Sequence, residues 1–222
     1  MPMPRGLVLL ASIWIFGSWM LCIGLRPPIS ASLASYAPGI RLLLACFAVG
    51  LCAGWPLLRL SGPREGWPML RVLLDLIALL VLFHVVVWPL RLATPWSPAR
   101  LVLMDAIIFA WCANIGAIIA VTLHSNDARA RTLAMAVCIM ITVLGLPLRL
   151  AAASLGFSAP PAWLQGPVMS CLILGSESGA TSTQGAWRGV VALCISAVAA
   201  WSAAWWFTKP HRKAVALAAA RG

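Results

Sequence analysis

Three ionisable side chains, Asp75, His84 and Asp105, lie inside long apolar runs of this 222-residue sequence. An imidazole beside a carboxylate can share or pass a proton, and each group lowers the cost of burying the other's charge. His84 is seven residues before Arg91, and Asp105 is five residues after Arg100. If the two runs form antiparallel helices, their depths differ by only about 3 Å. The sequence therefore predicts a contact between His84 and Asp105, acting as a polar clamp, as a proton relay or as part of a substrate path.

Two further polar residues accompany this pair. Asp75 is nine residues before His84, which puts it on the opposite helix face and about 13 Å away along the axis. Arg71 is one turn before Asp75, so we expect these two side chains to pair locally while the guanidinium extends to the membrane surface. Asn114 lies in the same apolar run as Asp105 and is the other intramembrane polar candidate.

Motifs for self-contained catalysis are missing from the sequence. It contains no GxxxxGK[ST], GxGxxG, HExxH or GxSxG, which argues against an ATPase, a dehydrogenase or a hydrolase. The seven cysteines show no CxxC pair and no zinc-ligand spacing, and most lie in apolar runs, where cysteine acts as a small hydrophobe. The three histidines are too scattered to supply two axial haem ligands. We expect no catalytic residue, no metal and no cofactor.

The composition identifies the solvent of most side chains. Hydrophobic residues make up 62% of the chain and charged residues 9%, whereas a soluble domain carries about 25% charged residues. The formal net charge of +11 comes from basic residues placed singly at the ends of apolar runs, without a patch that would bind nucleic acid. The sequence therefore predicts an integral membrane protein in contact with lipid.

Apolar runs of about 20 residues, the length that spans hydrocarbon, define the elements that must position these side chains. Six such runs predict an all-α bundle of about six transmembrane helices in one membrane domain, at residues 7–25, 41–60, 70–90, 101–123, 131–154 and 187–207. The first run is too long for the core of a cleavable signal and lacks a small-residue cleavage site, so we expect it to be retained.

The distribution of arginine and lysine predicts the orientation. With the N-terminus inside, ten basic residues fall on the inner side and six on the outer side. The densest cluster, KPHRK at 209–213, directly follows the last span and begins the basic tail 208–222. We therefore expect both termini in the cytoplasm, in a prokaryotic inner membrane.

One connection is long. Residues 155–187 combine prolines, glycines and a polar tract with the apolar stretch VMSCLILG, which is too short to span a membrane. A re-entrant or interfacial segment on the outer face fits this composition.

Two shorter stretches suggest contacts with other helices or proteins. The charged connection 58–71 carries Arg64, Glu65 and Arg71, and it is either a solvated loop or a docking site for a cytoplasmic subunit. Gly50 and Gly54 form a GxxxG motif in the second span, which permits close helix packing within the chain or between two copies.

The second half of the chain, from about Leu101, resembles the permease subunits of ABC exporters of the second type. The residues that carry the resemblance are AIIAVTLHSNDARART at 117–132, the proline-interrupted span LAMAVCIMITVLGLPLRL at 133–150, the long outer segment, and the last span with its ending WWFTKPHRK. The chain departs from that family at its start, where MPMPRG precedes the first span in place of an amphipathic helix.

The resemblance implies an export permease without catalytic residues of its own. Such a subunit pairs with a second permease half and with a separate ATPase subunit, which would dock on the connection 58–71. Two other functions remain open from the residues: a non-catalytic structural subunit of a larger respiratory or photosynthetic membrane complex, and an ion-coupled carrier that uses His84 and Asp105.

Overall fold

The computed structural model describes residues 5–25, 27, 32–62, 67–125, 127–158, 160–176 and 183–219. Within these residues the chain is helical and contains no β-strand. Several of its helices are long and apolar enough to cross a membrane. The predicted class, an all-α bundle of an integral, multi-pass membrane protein, is therefore confirmed.

The helices follow one another with short breaks. Along the described part of the chain they are α1 (Arg5–Trp19), α2 (Leu33–Val49), α3 (Trp55–Ser61), α4 (Pro68–Val87), α5 (Pro98–His124), α6 (Ala128–Val143), α7 (Gly145–Ser154), α8 (Gly166–Ser176) and α9 (Thr183–Ala219). Wide π-helical turns at Met20–Gly24 and Gly50–Gly54 extend α1 and join α2 to α3, and a 3₁₀ turn at Trp88–Ala93 extends α4.

Five stretches have the length and hydropathy of a membrane span, and α6 with α7, which are bent by 55° at their junction, make a sixth if the pair is counted as one broken span. In chain order the five are Arg5–Gly24, Ala34–Ser61, Pro68–Ala93, Pro98–His124 and Gly185–Phe207, and the bent pair precedes the last. We refer to them as the first to sixth spans. Their ends lie within three residues of the predicted segments, except at the start of the second span.

The second span begins before its apolar run because a cap fixes the helix start. The Ser32 side chain accepts a hydrogen bond from the backbone N–H of Ser35, and the Ser35 hydroxyl accepts one from the backbone N–H of Ser32. This capping box satisfies two N–H groups at the start of the helix, where no intrahelical carbonyl reaches them. The prediction that this span begins at residue 41 was therefore too late.

The segment between the fifth and sixth spans folds back into the bundle. α8 packs against α2, α5 and α6, and its residues Met169, Cys171 and Leu174 are buried. Its start fits into the bend between α6 and α7: a Cβ on Gly145 would lie 2.0 Å from the backbone oxygen of Gln165. This packing favours the re-entrant over the interfacial interpretation of VMSCLILG.

The fourth span is the centre of the bundle, and the first span is at its edge. α5 packs against α4, α9, α6 and α8. In its most apolar stretch, 67% of the residues are buried. For the first span the buried share is only 6%. Trp14 ties the first span to the second: its indole N–H donates to the backbone oxygen of Cys46 at 2.9 Å, and its ring lies against Gly50. Gly50 of the glycine motif thus serves helix packing within this chain.

The seven cysteines are free thiols in the structure. The sulfurs of Cys52 and Cys112 are 3.9 Å apart in the core, and those of Cys22 and Cys46 are 4.0 Å apart near the first span. At these distances the thiols are in van der Waals contact, and they pack as small apolar side chains.

Candidate functional site

The structure brings His84 and Asp105 together. His84 is near the end of α4, Asp105 is in the second turn of α5, and the short 3₁₀ turn between these helices sets them side by side. Nε2 of His84 lies 2.8 Å from Oδ2 of Asp105. The contact predicted from depth alone is therefore present, and it connects the third and fourth spans.

The hydrogen bond made by the other ring nitrogen of His84 determines how many protons the pair of His84 and Asp105 holds. Nδ1 of His84 lies 2.9 Å from the backbone oxygen of Leu80. A carbonyl oxygen only accepts, so Nδ1 must carry a hydrogen. At 2.8 Å, Nε2 and Oδ2 need one further proton between them, either on the imidazole or on the carboxyl group. With that proton the pair is neutral overall, which suits a membrane interior.

The pair is built asymmetrically. The His84 side chain is 44% exposed, whereas that of Asp105 is 11% exposed. The second carboxylate oxygen, Oδ1, is buried and has no hydrogen-bond partner among the described residues. The arrangement can hold one proton between a buried acid and a ring that lies at the surface of the bundle.

Asp75 pairs across helices, which corrects the predicted local pairing with Arg71. Its Oδ2 forms an ion pair with the guanidinium of Arg59 and accepts the indole N–H of Trp55 at 3.4 Å. Asp75 is fully buried and faces α3, so a partner on that helix meets it directly. Arg71 lies in the first turn of Asp75's own helix. As predicted, Asp75 takes no part in the contact between His84 and Asp105.

Asn114 fastens the fourth span to the sixth. Its amide nitrogen donates to the backbone oxygen of Leu193 at 3.0 Å and to that of Ala110 at 2.9 Å. Its amide oxygen accepts the hydroxyl of Ser196 at 2.9 Å. Since both ends of the amide are engaged within the bundle, this geometry supports a structural role.

The candidate docking residues are only partly described. Arg64 and Glu65 lie outside the described residues, while Arg71 lies half-buried in the first turn of α4. The basic cluster 209–213 falls on residues whose side chains are likewise outside the described part.

The sequence reasoning missed Trp55 and Arg59 as partners of Asp75. A usable signal was present, because residues four apart share a helix face. An indole N–H and a guanidinium on one face form a donor pair that suits a buried carboxylate. Arg59 was instead counted only among the basic residues that set the orientation.

Among the described residues, no group of three or more His, Cys, Asp or Glu side chains has the arrangement of a metal site. No protein-family model, curated protein or solved structure matches this chain.

Proposed function

We propose that this chain is the membrane-spanning permease subunit of an ATP-driven exporter. It works with a separate ATPase subunit and a second permease half, in a prokaryotic inner membrane with both termini in the cytoplasm. The observation that carries the proposal is the position of α8, a short apolar helix packed into the bundle between the bent fifth span and the sixth. The family that the sequence resembles has its outer insertion at this place.

The ion pair between Arg59 and Asp75 gives the proposed docking connection a mechanical role. The connection 58–71 joins the second span to the third, and Arg59, at the start of this connection, pairs with Asp75 on the third span. A buried pair of this kind resists separation, because pulling it apart leaves an uncompensated charge. A force that the ATPase applies to the connection therefore moves both spans as one unit.

Co-purification tests the partner. The wild-type protein, extracted in mild detergent, is expected to bring a nucleotide-hydrolysing subunit with it and to stimulate ATP hydrolysis by that subunit. Charge reversal at Arg64, Glu65 and Arg71 is expected to weaken the association through lost complementarity at the rim of the interface. Charge reversal at Arg149 and Arg188, on the opposite side of the proposed topology, is the matched control and is expected to leave it unchanged.

The alternative outcome is equally specific. If no nucleotide-hydrolysing protein accompanies the extracted complex, the exporter proposal fails. Co-purification of redox subunits would then favour the structural subunit of a respiratory or photosynthetic complex.

A second candidate, an ion-coupled carrier, is favoured by the proton shared between His84 and Asp105 and by the exposure of the imidazole. A carrier of this kind transports without ATP and depends on a proton gradient across the membrane. In reconstituted vesicles, H84A and D105N would each abolish that gradient-dependent transport. Flux that requires ATP and is unaffected by both variants would exclude the carrier.

A further inference from the structure

An apolar cavity of about 220 Å³ lies between the first three spans. The first span contributes Leu10 and Trp14 to its wall, the second Gly54 and Leu58, and the third Leu79 and Phe83. The cavity touches neither His84 nor Asp105, so it is separate from the polar site described above.

The wall of this cavity provides few hydrogen-bonding partners for water. The indole N–H of Trp14 is engaged by the backbone oxygen of Cys46, and that of Trp55 is directed to Asp75. A buried water needs two to four polar partners, and apolar cavities of roughly 150 Å³ stay dry and take up small hydrocarbons instead. The chemistry of the wall therefore selects a hydrocarbon occupant.

The mouth of the cavity opens where lipid surrounds the bundle. Leu10, Trp14 and Leu58 belong to its lining and are each about half exposed. They lie on membrane spans, and the first span has the smallest buried share of the five unbent spans in the described residues. The hydrocarbon next to such a mouth is the acyl chain of a bilayer lipid.

Charge at one end of the cavity selects the head group. The lining comes from the first half of the first span and the second half of the second, and the ends of these two segments carry Arg5 and Arg59. Arg59 is paired with Asp75, whereas Arg5 is exposed and only two residues before Leu7, which lines the cavity. A basic residue at a membrane surface attracts anionic lipid.

We propose that this cavity binds one acyl chain of an anionic phospholipid whose head group lies beside Arg5. The chain fills space that the helices leave empty and secures the loosely packed first span against the second and third. This lipid is thus a bound component of the folded protein, in addition to the bulk lipid that surrounds it.

Glycine positions in the structure provide a selective test. A Cβ on Gly54 would meet nothing closer than the backbone oxygen of Val49 at 3.9 Å, so G54L fills the cavity without a backbone clash. Ala11 lines the opposite wall, so A11L is a second filling variant in case G54L folds poorly. Gly17 has nothing within 4 Å and lies outside the lining, so G17L is the matched control.

The experiment is native mass spectrometry of the delipidated protein with added phosphatidylglycerol or phosphatidylcholine, together with thermal melting. Wild type and G17L are expected to retain one phosphatidylglycerol per chain and to melt at a higher temperature with it. The filling variants are expected to lose retention by roughly tenfold or more, because several methylene groups lose their site. R5Q is expected to reduce the preference for phosphatidylglycerol over phosphatidylcholine roughly fivefold.

Four results would overturn the proposal. The first two are a wild type that retains no lipid after delipidation and re-addition, and a folded G54L or A11L that retains as much lipid as G17L. The third is an equal rise in melting temperature with glycerol phosphate, which has no acyl chain. The fourth is a delipidated wild type that dimerises through this face. An unchanged lipid preference in R5Q would overturn the assignment of the head group.

Discussion

His84 on α4 donates to or accepts from Asp105 on α5 through a single contact of 2.8 Å, and the other nitrogen of the same ring is held by the backbone of Leu80. The ring is therefore fixed at both nitrogens. Rotating it away from Asp105 would break two hydrogen bonds, one of them within its own helix. The orientation of the ring therefore links the third and fourth spans through a contact that has little freedom to move.

Removing the imidazole is expected to destabilise the protein. H84A leaves Asp105 buried without its partner and should lower the free energy of unfolding by about 1 to 3 kcal/mol. The double variant H84L/D105L should lower the free energy of unfolding by less than the sum of the H84L and D105L single variants, because it leaves no unpaired group. Unfolding in detergent measures both effects.

The control for that cycle is S12A. Ser12 is exposed on the first span, and its hydroxyl only donates to the carbonyl of Val8 within the same helix. Its removal should change stability by about 0.5 kcal/mol or less. Additive single and double changes at His84 and Asp105 would contradict a direct interaction.

Arg59 is expected to matter more for stability than Arg71. R59A strands the fully buried carboxylate of Asp75 and should cost about 3 to 5 kcal/mol, whereas replacing both partners with apolar residues, as in R59M with D75L, should cost much less. R71A removes an arginine from the start of the same helix and serves as the comparison. Equal losses of unfolding free energy in R59A and R71A would show that the carboxylate depends on both arginines.

The two glycines of the GxxxG motif are expected to respond oppositely to alanine. A Cβ on Gly50 would lie 2.5 Å from Nε1 of Trp14, so G50A should push the first span away and destabilise the protein by about 1 to 3 kcal/mol. At Gly54 the nearest atom is 3.9 Å away, and G54A should be neutral or stabilising, because glycine is a poor helix former. Thermal melting of the two variants side by side decides this. Similar melting temperatures for both would be evidence against the contact with Trp14.

Impermeant thiol labelling tests the proposed orientation. On a background without native cysteines, a cysteine introduced at position 182 is expected to react from outside intact cells, whereas one in the tail 208–222 should react only after the membrane is opened. The reverse pattern would invert the topology and, with it, the proposed docking side of the connection 58–71.

The sequence predicts well what depends on length and depth. The positions of the long apolar helices follow from the thickness of hydrocarbon, and the similar depths of His84 and Asp105 follow from their distances to Arg91 and Arg100 along antiparallel helices. Length and depth are sums along the chain, whereas the rotation that turns these two side chains towards each other is supplied by the structure.

Features that depend on rotation and three-dimensional packing were beyond the sequence. The partner of Asp75 depends on how the end of the second span is turned, and a wide turn at Gly50–Gly54 contributes to that rotation. The burial of α8 depends on the bend at Gly145, where the missing side chain admits the backbone of Gln165. The apolar pattern of VMSCLILG is the same whether it faces lipid or the bundle.

The wide turn at Gly50–Gly54 also determines which changes in chain length the second span tolerates. A π-helical turn contains one residue more than a regular turn. The helices before and after it are therefore rotated relative to each other as they would be in a continuous α-helix with one residue fewer. Deleting Ala53 is compatible with a regular helix that still directs Arg59 towards Asp75. Deleting Leu57 instead shortens the spacing between Trp55 and Arg59, so one of these two partners of Asp75 is rotated by about 100°: Arg59 if the wide turn persists, or Trp55 if it closes. For insertions and deletions, this turn is therefore the permissive point of the second span.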